Sequence, residues 1–211
     1  MNITHPAIHD YLELNRPPSD PVLQAMEEYG RAQNFPSLGA QCGRLLYALV
    51  AISGAQRVFE LGSGYGYSMY WMAKAMSDGG MIIGTDTNPD NAASAREYFR
   101  QGGLQDKTDL RTGDAVSLFE RESGLFDLVV CDIDKHQYPE VFDLAKRRLR
   151  PGGMLVADNI LWSGRILEDT ETDKATNGIR EFTRLIFSDP GFFSVIIPIR
   201  DGMSLSIKAG E

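Results

Sequence analysis

The sequence predicts an α/β fold with a mostly parallel, doubly wound sheet covered by helices on both faces. Five short segments predicted as strands, at residues 58–59, 81–84, 109–112, 128–131 and 154–157, alternate with stretches of helical periodicity. This alternation is typical of parallel strands joined by right-handed helical crossovers. An acidic residue lies at or just past the end of each segment, so the sequence predicts a ligand-binding edge where the strands end.

The remaining elements are predicted from apolar spacing and turn residues. Residues 1–18 are polar and proline-bearing, which predicts an arm outside the core. The final segments, 192–199 and 203–208, flank an Arg-Asp-Gly turn and predict a hairpin that adds an antiparallel strand. We expect one domain, in which an arm and helices over 1–56 pack on a core formed by 57–211. Helices are predicted over residues 21–33, 45–52, 68–77, 91–100, 116–121, 139–149 and 178–187.

Composition argues against nucleic acid and membranes as partners. The chain has 211 residues and a formal net charge of -8, with no basic cluster to offset that charge. No apolar run approaches the ~20 residues of a membrane span, and the first residues lack a signal-peptide core. Cys42 and Cys131 are too few for a disulfide framework or a zinc site. We therefore expect a cytoplasmic protein.

Two strand ends carry a candidate metal site. Asp132 follows the fourth strand, and Asp158 and Asn159 follow the fifth. If these strands are parallel neighbours, the two carboxylates emerge side by side and repel each other unless a cation lies between them. Carboxylate and amide oxygens form a hard ligand set that suits Mg²⁺ or Ca²⁺. Lys135 is then a candidate general base beside the metal. The alternative is that these are ordinary solvated residues at strand ends.

The turn after the first strand indicates a nucleoside site. It reads ELGSGYGYS from Glu60 to Ser68, and its glycines allow the backbone to approach a ligand closely. The spacing GxGxG is one residue shorter than the dinucleotide fingerprint. Glu60 suits a cationic ligand better than a pyrophosphate, and Asp86 ends the second strand where an acid can bind ribose hydroxyls. S-adenosylmethionine fits this description better than NAD, with Asp114 and Ala115 beside the adenine.

Five segments give the chain a resemblance to a known family. The segments FELGSGYGYS, GTDTNP, TGDA, FDLVVCDIDKHQY and RPGGMLVADNILWSG, in that order, resemble the cation-dependent class I O-methyltransferases. This group contains the catechol and caffeoyl-CoA O-methyltransferases. The resemblance implies a Rossmann-like class I methyltransferase sheet, a homodimer, a metal held by Asp132, Asp158 and Asn159, and Lys135 as the base. Around the methyl donor it implies Glu60, Gly62, Ser68, Asp86, Asp114 and Ala115, to which we add Gly64, Tyr67 and Asp132.

The expected reaction is in-line methyl transfer to a phenolic oxygen of a small acceptor with two vicinal hydroxyls. Two adjacent oxygens can replace two waters on the metal, which fixes the attacking oxygen. Residues 163–177 predict a polar loop over the active edge. The loop contains four acids, which are Glu168, Asp169, Glu171 and Asp173. These acids disfavour a highly anionic acceptor such as a CoA ester, unless a basic residue of the loop turns inward.

Two alternatives remain open. An NAD-linked oxidoreductase shares the glycine turn and Asp86, but the spacing of the glycines speaks against it. A non-catalytic nucleoside-binding protein could use the same scaffold. It would have no need of Asp132, Lys135, Asp158 and Asn159 together.

Overall fold

One seven-stranded mixed sheet forms the centre of the molecule. The computed structural model describes residues 3–18, 20–168, 170 and 173–210. Its strands are β1 (Arg57–Leu61), β2 (Met81–Asp86), β3 (Thr108–Thr112), β4 (Phe126–Cys131), β5 (Leu149–Ala157), β6 (Phe192–Ile197) and β7 (Met203–Lys208). The strand order is β3-β2-β1-β4-β5-β7-β6, and β1 to β5 are parallel. β7 is antiparallel to both of its neighbours. The predicted fold class is confirmed.

Helices cover both faces of the sheet. They are α1 (Pro6–Asn15), α2 (Pro21–Ala32), α3 (Gly39–Ser53), α4 (Tyr67–Ala75), α5 (Pro89–Gln101), α6 (Ala115–Arg121), α7 (Tyr138–Arg148) and α8 (Lys174–Ser188). Short 3₁₀ segments occur at Gln105–Lys107, Lys135–Gln137 and Trp162–Leu167. Within the described ranges, none of the helices has both the length and the apolar character of a membrane span.

The apolar run of β4 is explained by burial on both faces. Leu128 and Val130 belong to the core beneath α2 to α5, whereas Val129 and Cys131 belong to the core beneath α6 to α8. Side chains alternate between the faces of a strand, so a strand covered on both sides must be apolar throughout. The run therefore ends where the sheet reaches the open edge, at Asp132.

The segment predicted as an arm contains helix α1, which the sequence prediction missed. Pro6 occupies the first turn, and the His5 side chain accepts a hydrogen bond from the backbone N–H of Ala7 at 3.2 Å. None of the residues of α1 is buried. A helix defined by its cap rather than by burial has no apolar periodicity, which is why the sequence prediction failed here.

The polar loop predicted over 163–177 is partly structured. Trp162–Leu167 forms a 3₁₀ segment, and α8 begins at Lys174. Asp173 caps α8 by accepting hydrogen bonds from the N–H groups of Ala175 at 2.8 Å and Thr176 at 3.1 Å. Asp169 and Glu171 lie outside the described residues. The capping aspartate, rather than an apolar pattern, sets the start of the helix, so the loop prediction extended too far.

Candidate active site

Strand register brings the two predicted metal-binding aspartates to one edge of the sheet. Cys131 pairs with Leu61 on one side and with Ala157 on the other. The ladder continues one step further, because the Asp132 N–H donates to the Leu61 carbonyl at 2.9 Å and the Asp158 N–H donates to the Cys131 carbonyl at 3.1 Å. Both backbones are therefore fixed at the point where their carboxylates leave the sheet.

Asp158 is a buried acid beside a second acid. Its side chain is only 6% exposed. Burial is the largest cause that raises the pKa of Asp158 to about 7, and the neighbouring carboxylate of Asp132 raises it further. The backbone N–H of Asn159 and the positive charges of Lys135 and Arg200 offset this only in part. A cation between the two carboxylates would remove the repulsion.

The chemistry of the donor set fits a hard divalent cation. Asn159 adopts φ 59°, a left-handed conformation that asparagine tolerates better than most residues. Its Nδ2 donates to the Asp201 carboxylate at 3.4 Å, which leaves the amide oxygen available as a ligand. Within the described ranges, no group of three His, Cys, Asp or Glu side chains could hold a metal. A cation at this edge would therefore need the amide oxygen of Asn159 as well as the carboxylates of Asp132 and Asp158.

Lys135 is held against these acids by hydrogen bonds. Its Nζ donates to Asp132 Oδ1 at 2.8 Å and to the Tyr138 hydroxyl at 3.0 Å. That hydroxyl in turn donates to the backbone carbonyl of Asp158 at 3.0 Å. The Lys135 side chain is buried, and its Nζ lies 5.9 Å from the centre of the Trp162 ring. The amine is thus oriented toward the carboxylates in a largely water-free position.

Helix α8 packs directly on the segment that carries Lys135. A Cβ atom added to Gly178 would lie 2.3 Å from the Lys135 carbonyl oxygen and 2.6 Å from the Cα of His136. Both are backbone atoms, so no side-chain rotation could relieve the overlap. Glycine at this position is what allows the helix and the Lys135 segment to approach so closely.

The glycine turn brings the first strand against the end of the fourth. Gly62 has φ 84°, and a Cβ atom there would lie 2.1 Å from the Asp132 carbonyl oxygen. Gly64 has φ 52° and lies beneath the Phe35 ring, which a Cβ atom would approach to 2.8 Å. The turn is therefore closely covered by the segment between α2 and α3.

Glu60 is a buried acid beneath this turn. It is 1% exposed, and within the described ranges its Oε2 has no hydrogen-bond partner. Burial raises the pKa of Glu60 to about 7, while the hydroxyls of Ser68 and Ser63 act in the opposite direction. The unpartnered oxygen of this buried carboxyl is suited to bind a donor or a cation from a ligand.

The other residues predicted around the methyl donor line two cavities along the sheet edge. A cleft of about 420 Å³ is lined by Gly62, Asp86, Asp114, Ala115 and Asp132. A small cavity of about 30 Å³ under the segment that follows α2 is lined by Gly62, Gly64, Tyr67, Ser68 and Asp132. Because Gly62 and Asp132 line both cavities, the two cavities are neighbours, and we call the residues that line them the donor track.

Several of these side chains already have local partners. Asp86 Oδ1 accepts from the Asn88 N–H at 2.8 Å and from Asn91 Nδ2 at 3.0 Å, which orients its carboxylate. Asp114 caps α6 by accepting from the Ser117 N–H at 2.8 Å, and its hydrogen bonds to Ser117 lower its pKa. The acids of the cleft are thus fixed in place in the unliganded fold.

The Tyr67 hydroxyl has a hydrogen-bond partner within the protein. Tyr67 is 3% exposed, and its hydroxyl donates to Glu27 Oε1 of α2 at 3.0 Å. Its ring lines the small cavity that Gly64 and Ser68 also line. The hydroxyl is therefore engaged with α2, and only the ring remains for a ligand in that cavity.

Three residues of the site were missed by the sequence prediction. Tyr138 lies three residues after Lys135, one helical turn away, and that spacing was a usable signal. Asp201 and Arg200 come from the β6–β7 turn, about forty residues after Asn159 in the chain, and no local pattern connects them to it. Only the antiparallel pairing of β7 with β5 brings them to this edge.

Comparison with known proteins decides the family. A family model described as O-methyltransferase matches residues 20–209 of the chain. The chain belongs to the O-methyltransferase family. This confirms the resemblance found in the sequence and sets aside the oxidoreductase alternative.

Individual relatives extend over most of the chain. A catechol O-methyltransferase from Niastella koreensis is 33% identical over 180 residues, which cover 81% of each protein. The structure of an O-methyltransferase from Bacillus cereus in complex with SAH is 28% identical, with a TM-score of 0.87 and coverage of 96% of this chain and 97% of that one. A methyltransferase structure from Geobacter sulfurreducens is 30% identical, with a TM-score of 0.84 and coverage of 98% and 99%.

Proposed function

We propose that this O-methyltransferase transfers a methyl group from S-adenosylmethionine to one hydroxyl of a catechol-like acceptor, with the help of a divalent cation. The observation that carries the proposal is the cluster at the ends of β4 and β5. There Lys135 Nζ lies 2.8 Å from Asp132, and Asp158 is buried beside the same carboxylate. The cluster adjoins the cleft along the glycine turn, since Asp132 lines both.

The donor is proposed from the charge of the cleft and from a relative. S-adenosylmethionine carries a sulfonium and an ammonium group, and it has no phosphates. A track with Glu60 beneath it and Asp86, Asp114 and Asp132 along it complements such a cation and repels the pyrophosphate of a dinucleotide. The Bacillus cereus relative binds SAH, the product that remains after methyl transfer from S-adenosylmethionine.

Asp132, Asp158 and Asn159 are the residues we propose to hold the cation, which would be Mg²⁺ or Ca²⁺ given the all-oxygen donor set. A cation bound there supplies Lewis-acid stabilisation of the negative charge that develops on the acceptor oxygen. Asp201 supports this role, since its bond to the Asn159 nitrogen orients the amide oxygen outward. The protein supplies only two carboxylates and one amide oxygen. A cation bound by them would need further oxygen ligands, which the acceptor can supply.

Lys135 is proposed as the general base. Its amine must be neutral before it can accept a proton from the acceptor hydroxyl. Hydrogen bonds to Asp132 and Tyr138 position the nitrogen at the reacting edge. The ring of Trp162 lies above the amine and would help to keep water away from it. These contacts orient the base before the acceptor arrives.

A methyl-transfer assay with matched acceptors tests the proposal. We expect catechol to be methylated at one oxygen in the presence of Mg²⁺, and phenol and guaiacol to be inert. Two adjacent hydroxyls are required because both oxygens must reach the cation for the attacking one to be fixed. Equal rates on phenol and catechol would rule out chelation by a vicinal pair, and no transfer to either with Mg²⁺ and S-adenosylmethionine would contradict the proposed acceptor class.

A homodimer in the cytoplasm is part of the same proposal. Within the described part of the chain, β6 is an edge strand that pairs only with β7, and it exposes Phe193 (75%) and Val195 (42%). Exposed apolar residues on an edge strand favour association with a second copy. The free thiols of Cys42 and Cys131, both buried, are compatible with a reducing compartment. Sedimentation of the wild type and Phe193→Lys tests the dimer, since we expect the variant to be monomeric.

A further inference from the structure

A large cavity lies beside the small cavity under the glycine turn. Its volume is about 520 Å³, and its walls come from α1, α2, the start of α3 and the β6–β7 turn. Phe35, Ser37 and Tyr67 line this cavity and also the small cavity under the glycine turn. The cavity is large enough for an aromatic acceptor, and it borders the small cavity that Ser68 and Asp132 also line.

The charges in this cavity do not balance. Arg16 pairs with Glu13 and with Glu27, each at 2.8 Å, so these two acids are engaged by one arginine. Arg31 and Arg200 also line the cavity, and neither forms an ion pair within the part of the chain that the structure describes. Three arginines therefore face two glutamates in a protein whose net charge is -8. Such a local excess of positive charge favours an anionic ligand.

Arg200 lies in the β6–β7 turn next to Asp201, whose carboxylate accepts a hydrogen bond from Asn159 of the proposed metal site. Arg200 adopts φ 49°, a left-handed conformation that is uncommon for a residue other than glycine and that often marks a functional site. One guanidinium nitrogen, Nη1, donates to the Ser37 carbonyl at 2.8 Å. Among the described residues this is the one hydrogen bond of the guanidinium, so four of its five N–H donors remain for a ligand.

We infer that the acceptor carries one carboxylate, on the part of the molecule away from its hydroxyls, and that Arg200 binds this carboxylate. The inference rests on the proposed function and names its substrate class. A guanidinium matches a carboxylate with two parallel hydrogen bonds. The excess of one positive charge suits a single carboxylate, whereas several phosphates would meet Glu13 and Glu27 in the same cavity.

Arg165, which precedes α8, and Arg180, which lies within α8, do not alter this choice. Arg165 donates to Asp173 at 2.8 Å, and Arg180 donates to the backbone carbonyl of Glu168 at 2.6 Å. Both guanidinium groups are thus engaged with their own segment. Arg200 is consequently the residue we assign to discriminate between acid and neutral acceptors.

Matched acceptors test the assignment. We would measure kcat/KM for 3,4-dihydroxybenzoate and for 3,4-dihydroxybenzamide, which differ in charge and hardly in shape. For the wild type we expect a preference for the acid of about tenfold or more, the usual scale of a charge-assisted hydrogen bond. In Arg200→Asn, which preserves a residue that tolerates the left-handed backbone, the ratio should fall to about one through a higher KM for the acid.

Two further variants serve as controls. Arg147→Asn removes an exposed arginine from the last turn of α7 and should leave the preference unchanged. Arg31→Asn removes the other unpaired cation of the cavity, and a loss of preference there but not in Arg200→Asn would overturn the assignment to Arg200. Equal use of acid and amide by the wild type would overturn the inference while leaving the proposed function intact.

A binding measurement without methyl transfer tests the proposed carboxylate site independently of the proposed reaction. Calorimetric titration of the SAH-bound protein with 3,4-dimethoxybenzoate and 3,4-dimethoxybenzamide should show tighter binding of the acid, and Arg200→Asn should abolish the difference. If neither dihydroxy compound is methylated, the proposed function fails, but this titration still tests the carboxylate site. Equal binding of the two dimethoxy compounds by the wild type would refute that site.

Discussion

Glu60→Gln tests the electrostatics of the donor site through the stability of the unliganded protein. The pKa of Glu60 rises from 4.5 to about 7 in the folded state, chiefly through burial. A native pKa above the unfolded value means that the folded protein binds more protons between these two pH values. The free energy of unfolding therefore decreases as the pH rises from about 4.5 to 7, and it levels off above that range.

The magnitude follows from the size of the shift. At 1.36 kcal/mol per pKa unit, ionised Glu60 costs the folded state about 3 kcal/mol at pH 8. Glutamine has nearly the same shape and cannot ionise. The variant should therefore gain up to about 3 kcal/mol of unfolding free energy over the wild type at pH 8, and this gain should shrink toward pH 4.5. The raised pKa of Asp158 affects both proteins alike and cancels in the difference.

Urea unfolding at several pH values between 4.5 and 8, without ligand or metal, measures this difference. Glu120→Gln is the matched control, because Glu120 is an exposed glutamate on α6 and the variant should follow the wild type at every pH. A difference between wild type and Glu60→Gln that stays constant across the pH range would refute the reasoning. It would show that Glu60 ionises in the fold without penalty.

The remaining predictions concern the reacting groups. EDTA should abolish turnover and Mg²⁺ should restore it, while Asp158→Ala should stay inactive with Mg²⁺ present; full activity in metal-free buffer would contradict a metal site. Lys135→Ala should lower kcat by ~10² or more and still bind SAH in calorimetry, and a loss below threefold would exclude Lys135 as the base. Gly178→Ala should lower kcat, because its Cβ would overlap the Lys135 carbonyl and displace that segment. Gly210→Ala, where a Cβ meets open space, should not; equal kcat in both variants would show that α8 does not position Lys135.

The sequence predicted the sheet well because its strands are buried on both faces. Residues 128–131 are apolar throughout for that reason, and the abrupt change to Asp132 marks the edge of the sheet. The predicted strands all occur, and the acids that follow them lie on one edge. Boundaries set by caps were harder to predict. α1 begins after a His5 cap and α8 begins after an Asp173 cap, and neither start is marked by an apolar pattern.

The sequence by itself determined the fold class, the family and the residue types at the strand ends, since these depend on local periodicity and on motifs within short segments. The tertiary structure decided which residues from other parts of the chain contact the residues at the strand ends. Tyr138 orients Lys135 through a hydrogen bond, whereas Asp201 reaches Asn159 only because β7 pairs antiparallel with β5. The same pairing brings Arg200 to the cavity beside the donor track. Contacts between residues distant in the chain depend on the packing of the whole sheet, and no local pattern in the sequence records them.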